Sequence, residues 1–226
     1  MLEILFEDNH LLIINKKCGE LCQSDKTNDE TILDMAKNYL KIKYKKKGKV
    51  FLGLNHRIDR PTSGIVILSK TSKSLARMNE SFKKKKVSKV YWAIVNLFNK
   101  KNGEIENFLK KNKRQNKSYI VNSEIKGSKH AILRYTKLLD LNKYSLLEIK
   151  LLTGRHHQIR TQLSNIGFPV KGDLKYGFPR SNKDKGIHLH AREVEFIHPT
   201  TKKNIKIEAP PPTEKLWDCC LKSIET

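Results

Sequence analysis

Acidic residues are scarce in this chain. Asp and Glu number 23 against 46 Lys and Arg, a net charge of +23 over 226 residues. A surface of that sign disfavours basic partners and points to a polyanion, nucleic acid first. The excess has a plainer reading too, because Lys far outnumbers Arg and lysines can simply solvate a surface. Long apolar runs are also missing. No window of about 18 apolar residues occurs, and Glu3 and Glu7 flank the apolar cluster Ile4 to Phe6, so neither a transmembrane helix nor a signal peptide fits. The expected compartment is the cytoplasm. Cysteine is limited to Cys18, Cys22, Cys219 and Cys220, in no CxxC pairing, which gives a zinc site or a disulfide framework little support. There is no HExxH spacing and no internal repeat.

What is present suits a soluble globular protein. One domain over residues 1–226 is expected, with enough chain for two lobes. Residues 2–6 and 11–15 (LEILF, LLIIN) predict two strands joined at the turn-prone EDNH. Helical spacing covers 34–44, before the run Lys45 to Lys49, which reads as a solvated loop. The run GIVILS at 64–69 predicts a strand buried on both faces, central in a sheet. A helix is expected over 71–86, a strand over 87–97, and a polar, lysine-rich, mobile excursion over 99–117. Strand-like runs follow at 131–138, 144–152, 189–197 and 205–209, with a helix over 156–166 stopped by Gly167. Tight strand-to-strand connections and few helices predict an α+β fold with a mixed, mostly antiparallel sheet.

Three segments carry residues able to do chemistry. In 56-HRIDRPTSGIVILSK-70, Asp59 lies between Arg57 and Arg60, on a loop before the buried strand, with Pro61 biasing Arg60 away from helix. The two cations would favour an ionised carboxylate, which suits a nucleophilic or electrostatic role; a salt-bridged loop anchor accounts for the same residues. In 153-TGRHHQIRTQL-163, Arg155, His156, His157 and Arg160 crowd the first turns of a helix, where a phosphate is the natural ligand. Metal binding is the lesser reading, even with His188 and His190 downstream, because adjacent histidines diverge by about 100° on a helix. In 89-KVYWAIV-95, strand alternation puts Lys89, Tyr91 and Ala93 on one face and Val90, Trp92 and Ile94 on the other. Tyr91 could stack on a base or be an ordinary, partly buried tyrosine. The glycine-rich turns of 170-VKGDLKYGFPRSN-182 have no compositional explanation.

Taken together these blocks resemble the RluA-type RNA pseudouridine synthases. EILFEDNHLLIINKKCGELCQ looks like that family's opening strands, HRIDRPTSGIVILSK its catalytic segment, KVYWAIV its tyrosine strand, GRHHQIRTQL its arginine helix and KGDLKYG its glycine-rich turn, in family order. The resemblance implies a catalytic cleft across the sheet. It makes Asp59 the catalytic aspartate, has Tyr91 stack on the target base, pairs Arg160 with the aspartate, and puts Arg57 against RNA near the vacated base position. Pro61 and His156 depart from the residues common there, which bears on subfamily. Because the opening strands begin at residue 3, the separate N-terminal RNA-binding module of many members is expected to be absent. The implied reaction isomerises uridine in transfer or ribosomal RNA with no cofactor and no metal, in a monomer. Two alternatives remain at this stage: a noncatalytic RNA-binding protein with the same fold, and a metal-dependent phosphodiesterase built on His156, His157, His188 and His190.

Overall fold

The computed structural model describes residues 2–24 and 28–225. In chain order the elements are β1 (Glu3–Glu7), β2 (Leu11–Lys16), α1 (Ile32–Lys43), β3 (Gly53–Leu54), β4 (Ser63–Ser69), α2 (Ser72–Lys83), β5 (Ser88–Asn96), β6 (Asn102–Asn112), β7 (Lys117–Val121), β8 (Ser128–Asp140), β9 (Tyr144–Leu151), α3 (Gln158–Asn165), β10 (Leu189–Ile197), β11 (Asn204–Glu208) and α4 (Lys215–Glu225). This is the expected α+β class with a mostly antiparallel sheet: β2 pairs antiparallel with β1 and β4, β3 with β4, β10 with β11, β9 with β5 and β8, and β6 with β7 and β8. No helix among the described residues is long and apolar enough to cross a membrane. The chain forms two compact units, Met1–Ser88 with Ala191–Pro211, and Lys89–His190 with Pro212–Thr226.

In the first unit the strand order is β1-β2-β4-β10, with β3 on β4 and β11 on β10. Both β2 and β4 are buried along their whole length, as the unbroken run GIVILS requires of a central strand. They pair from Leu11↔Ser69 to Lys16↔Gly64, so Lys16 and Gly64 lie side by side at the strand ends where the Asp59 loop enters. Gly64 has φ +113°, and a Cβ there would strike the Ala191 backbone, so no other residue fits. The helix α1 begins two residues earlier than its apolar spacing suggests because Thr31 caps the Asp34 amide. Its last turn is tied to the sheet through Glu7, which accepts from Tyr39 (2.9 Å), Lys43 (2.7 Å), Tyr44 (2.6 Å) and Lys70 (2.9 Å). Burial on its own would raise the Glu7 carboxyl, but these donors, Lys43 foremost, pull it down to about 2.

In the second unit the order is β5-β9-β8-β6-β7. Trp92 and Ile94 of β5 pack with Leu146 and with Trp217 and Cys220 of α4. The opposite face is covered as well, Ala93 being fully buried, so β5 has two buried faces rather than one. The expected mobile excursion at 99–117 is instead the hairpin of β6 and β7. Its first strand pairs with β8 from Asn102↔Thr136 to Lys110↔Ser128. Only Ile105 and Leu109 of β6 are buried, and polar residues fill the outward positions, which is why the segment reads as a loop. Helix α4 has no counterpart among the predicted elements, although Leu216, Trp217, Cys220, Leu221 and Ile224 recur at helical spacing.

Candidate active site

The loop carrying Asp59 is pinned on both sides. Upstream, the Asn55 amide donates to Ile67 O (3.2 Å), and the Ile67 amide donates to His56 Nε2 (3.1 Å) in place of a strand partner. At Asp59 itself the carbonyl accepts from the Thr62 amide (3.0 Å), closing a turn over Arg60 and Pro61. The Cys22 thiol donates to Ile58 O at 3.4 Å, and Ile58 is buried beneath the loop. Asp59 stays partly exposed and Arg57 exposed.

Below this loop lies a cation that sequence reasoning missed. Lys16 is 1 % exposed, and its ammonium donates to the carbonyls of Lys17 (2.8 Å), Glu20 (2.9 Å) and Arg60 (3.2 Å). Burial pushes its pKa down to about 8, with Cys22, Glu20, Cys18 and Asp59 acting against the shift. Its signal in the sequence is slight: a lysine ending a run of apolar strand residues, where a solvated strand end is the usual reading. The Cys22 thiol is pushed up, mainly by burial. Arg60, expected to hold Asp59 ionised, commits Nε to Gly19 O (2.9 Å) and Nη2 to Asp29 (2.6 Å).

The second unit holds Tyr91 and Arg160. Tyr91 lies opposite Ile149 of β9 and is 9 % exposed, more covered than a fully open stacking platform. On the same strand face, burial lowers the pKa of Lys89. The Lys89 ammonium lies close to Gly154 of the TGR turn, where a Cβ would come within 3.2 Å of it.

Arg160 belongs to α3 and is buried rather than displayed to solvent. Within this unit its carboxylate partner is Asp173, through Nε (2.6 Å) and Nη2 (2.9 Å), and the guanidinium stands 5.0 Å from the Tyr176 ring centre. Fork-to-fork pairing fixes the guanidinium plane. The otherwise unexplained KGDLKYG turn therefore supplies both the acid and the aromatic ring that hold Arg160. Tyr176 Oη also accepts from the Ser118 amide (2.9 Å) and meets His157 Nδ1 at 2.9 Å.

The two adjacent histidines do not diverge. His157 has φ +53° and caps α3 from outside it, so the helical argument does not apply, and the rings stack with centres 3.7 Å apart. Arg155 donates from Nε to His130 O at 2.7 Å. His156 bonds Ser118 and Asn116, and His188 bonds Asn182 and Glu214. Among the described residues no three His, Cys, Asp or Glu side chains gather as metal ligands.

Residues 10–165, which include Asp59, Tyr91 and Arg160, match the family described as RNA pseudouridylate synthase. The chain is 34 % identical over 199 residues to the ribosomal large subunit pseudouridine synthase D of Borreliella burgdorferi, covering 85 % of this chain and 60 % of that protein. It is 28 % identical to the tRNA pseudouridine synthase C of Vibrio vulnificus, across 96 % of this chain and 93 % of that one. Four curated relatives, the Borreliella protein among them, are spanned over only 60 to 66 % of their length. The fold matches human RNA pseudouridylate synthase domain containing 4 with a TM-score of 0.80 at 23 % identity, covering 99 % of this chain and 93 % of that one. With the family match running through most of both units, the chain belongs to the RluA-type RNA pseudouridylate synthases.

Proposed function

We propose that this chain isomerises a uridine in ribosomal or transfer RNA to pseudouridine, with Asp59 as the catalytic carboxylate. The observation that carries the reading is a partly exposed acid on a loop pinned at its carbonyls, within the matched family region. The N1–C1′ bond breaks, the uracil turns, C5 bonds to C1′, and the C5 proton is lost while N1 gains one. Atoms balance without a redox partner. Asp59 serves either as nucleophile at C1′ or as the base that takes a sugar proton, and both roles need it ionised. The target nucleotide must leave its stack to be reached. Tyr91 stacks on the extruded base, and Arg160, held in plane by Asp173, assists the catalytic carboxylate, while Arg57 contacts RNA at the vacated position. RNA names among the relatives, ribosomal and transfer alike, support the substrate class, and the chain is taken to act as a monomer in the cytoplasm.

The test is Asp59→Asn in the full chain. Pseudouridine formation on total cellular RNA is expected to vanish while RNA binding stays within about threefold, since only one charge changes. Turnover that survives in the purified variant overturns the assignment of Asp59.

A further inference from the structure

From Met35 to Asn79 the chain carries twelve Lys and Arg but a single acid, Asp59, although acids make up 23 of its 226 residues. Seven of the twelve lie between Lys37 and Lys49, on α1 and the loop after it. Helix stability accounts for part of this. Lys41 and Lys43 lie in the last turn, where cations complement the helix dipole, and Lys43 is paired with Glu7. Lys37 and Lys41, however, are four residues apart on one face, a like-charge spacing that weakens a helix. The following loop then brings Lys47 and Lys49 to the same place: these four lysines, with Asn38 and Val50, line a concave pocket of about 300 Å³. Among the described residues none of the four is in an ion pair. Phe51, just after Val50, is 48 % exposed.

Gathering unpaired ammonium groups in a concavity costs the free protein through mutual repulsion, and a polyanion removes that cost. Lysine binds phosphate as a point charge, and a half-exposed phenyl ring offers a face for base stacking. We infer that the pocket between α1 and its lysine loop is an RNA docking site, separate from the residues assigned to chemistry. It holds the phosphodiester backbone on Lys37, Lys41, Lys47 and Lys49, with a base against Phe51. The inference deepens the proposed function and rests on it for the identity of the polyanion.

The test changes all four lysines to Gln in the full chain and follows fluorescein-labelled bulk transfer RNA by anisotropy across a salt series. At about 100 mM salt the Kd is expected to rise tenfold or more, and the slope of log K against log salt to become shallower by about 3, from roughly 0.7–0.9 per lost phosphate contact. A control with Lys83, Lys84, Lys85 and Lys86 changed to Gln loses the same charge and is expected to stay within about threefold of wild type. Equal losses in both variants reduce the effect to net charge and overturn the site, as does an unchanged Kd in a pocket variant that melts like wild type. Lost binding to phosphatidylserine vesicles with RNA binding intact assigns the pocket to a membrane surface and likewise overturns it. Repeating the titrations in Asp59→Asn keeps the answer independent of turnover, so a failed enzyme assignment and a failed docking site give different results.

Discussion

Lys16 is the residue where burial and charge conflict most sharply. Its ammonium lies under the Asp59 loop on three carbonyls, and its pKa of about 8 is below the ordinary 10.5. Between those two values the unfolded chain holds more protons than the folded one, so the titration of this side chain makes stability rise as pH climbs from about 8 toward 10.5. Lys16→Met removes that increment. In urea unfolding at pH 7.5 and pH 10, wild type is expected to gain on Lys16→Met by about 2 kcal/mol, at roughly 1.4 kcal/mol per pKa unit. Parallel pH profiles would show that the ammonium is not strained by burial. At this scale the sequence offers candidates for chemistry and hides the side chains that support them. Asp59, Arg57, Tyr91 and Arg160 could be named from local pattern and family resemblance. Lys16 and Asp173 could not, because a buried charge is legible only through its partners: those of Lys16 are backbone carbonyls, at Lys17, Glu20 and Arg60, which no residue type announces, and that of Asp173 is Arg160, 13 residues away.

Among the elements, unbroken apolar runs and most apolar stripes are readable, whereas the two-residue β3, the β6–β7 hairpin and, despite its helical spacing, α4 have no predicted counterpart. For the hairpin, a strand that buries only Ile105 and Leu109 is held by its ladder to β8, a long-range pairing invisible to a local window. Helix α1 was readable from its spacing, but not the way it is fastened. Glu7 gathers Tyr39, Lys43, Tyr44 and Lys70 from α1 and the end of β4, with its own side chain 9 % exposed. Its carboxyl is depressed to about 2 from 4.5, so its contribution is full above the unfolded value and is lost as pH falls through the folded one. Glu7→Gln is expected to cost about 2 kcal/mol at pH 7, tempered by the partial exposure of Lys43, and to cost about half as much by pH 3. Urea denaturation at the two pH values reads the difference, and a cost that does not shrink on acidification would assign Glu7 a packing role instead.

For the molecule as a whole, a net charge of +23 is expected, under the proposed function, to act in opposite directions on folding and on RNA binding. Without RNA, like charges repel within each unit, and added salt screens them; with RNA, the same charges release counterions from the phosphate backbone, and added salt opposes that release. Raising sodium chloride from about 50 to about 200 mM is therefore expected to raise the melting temperature of the free protein by a few degrees and to weaken RNA binding by about 10³-fold, the loss that six or so phosphate contacts predict. Bulk transfer RNA at low salt is expected to raise the melting temperature as well, because it binds the folded chain in preference to the unfolded one. Thermal melts and anisotropy titrations on one preparation measure both. A melting temperature that falls with salt would mean that attractive pairs such as Lys43–Glu7 and Arg60–Asp29 outweigh the repulsion. Salt-insensitive RNA binding would place the affinity in base contacts, and the lysine excess would then be solvation of the surface rather than recognition.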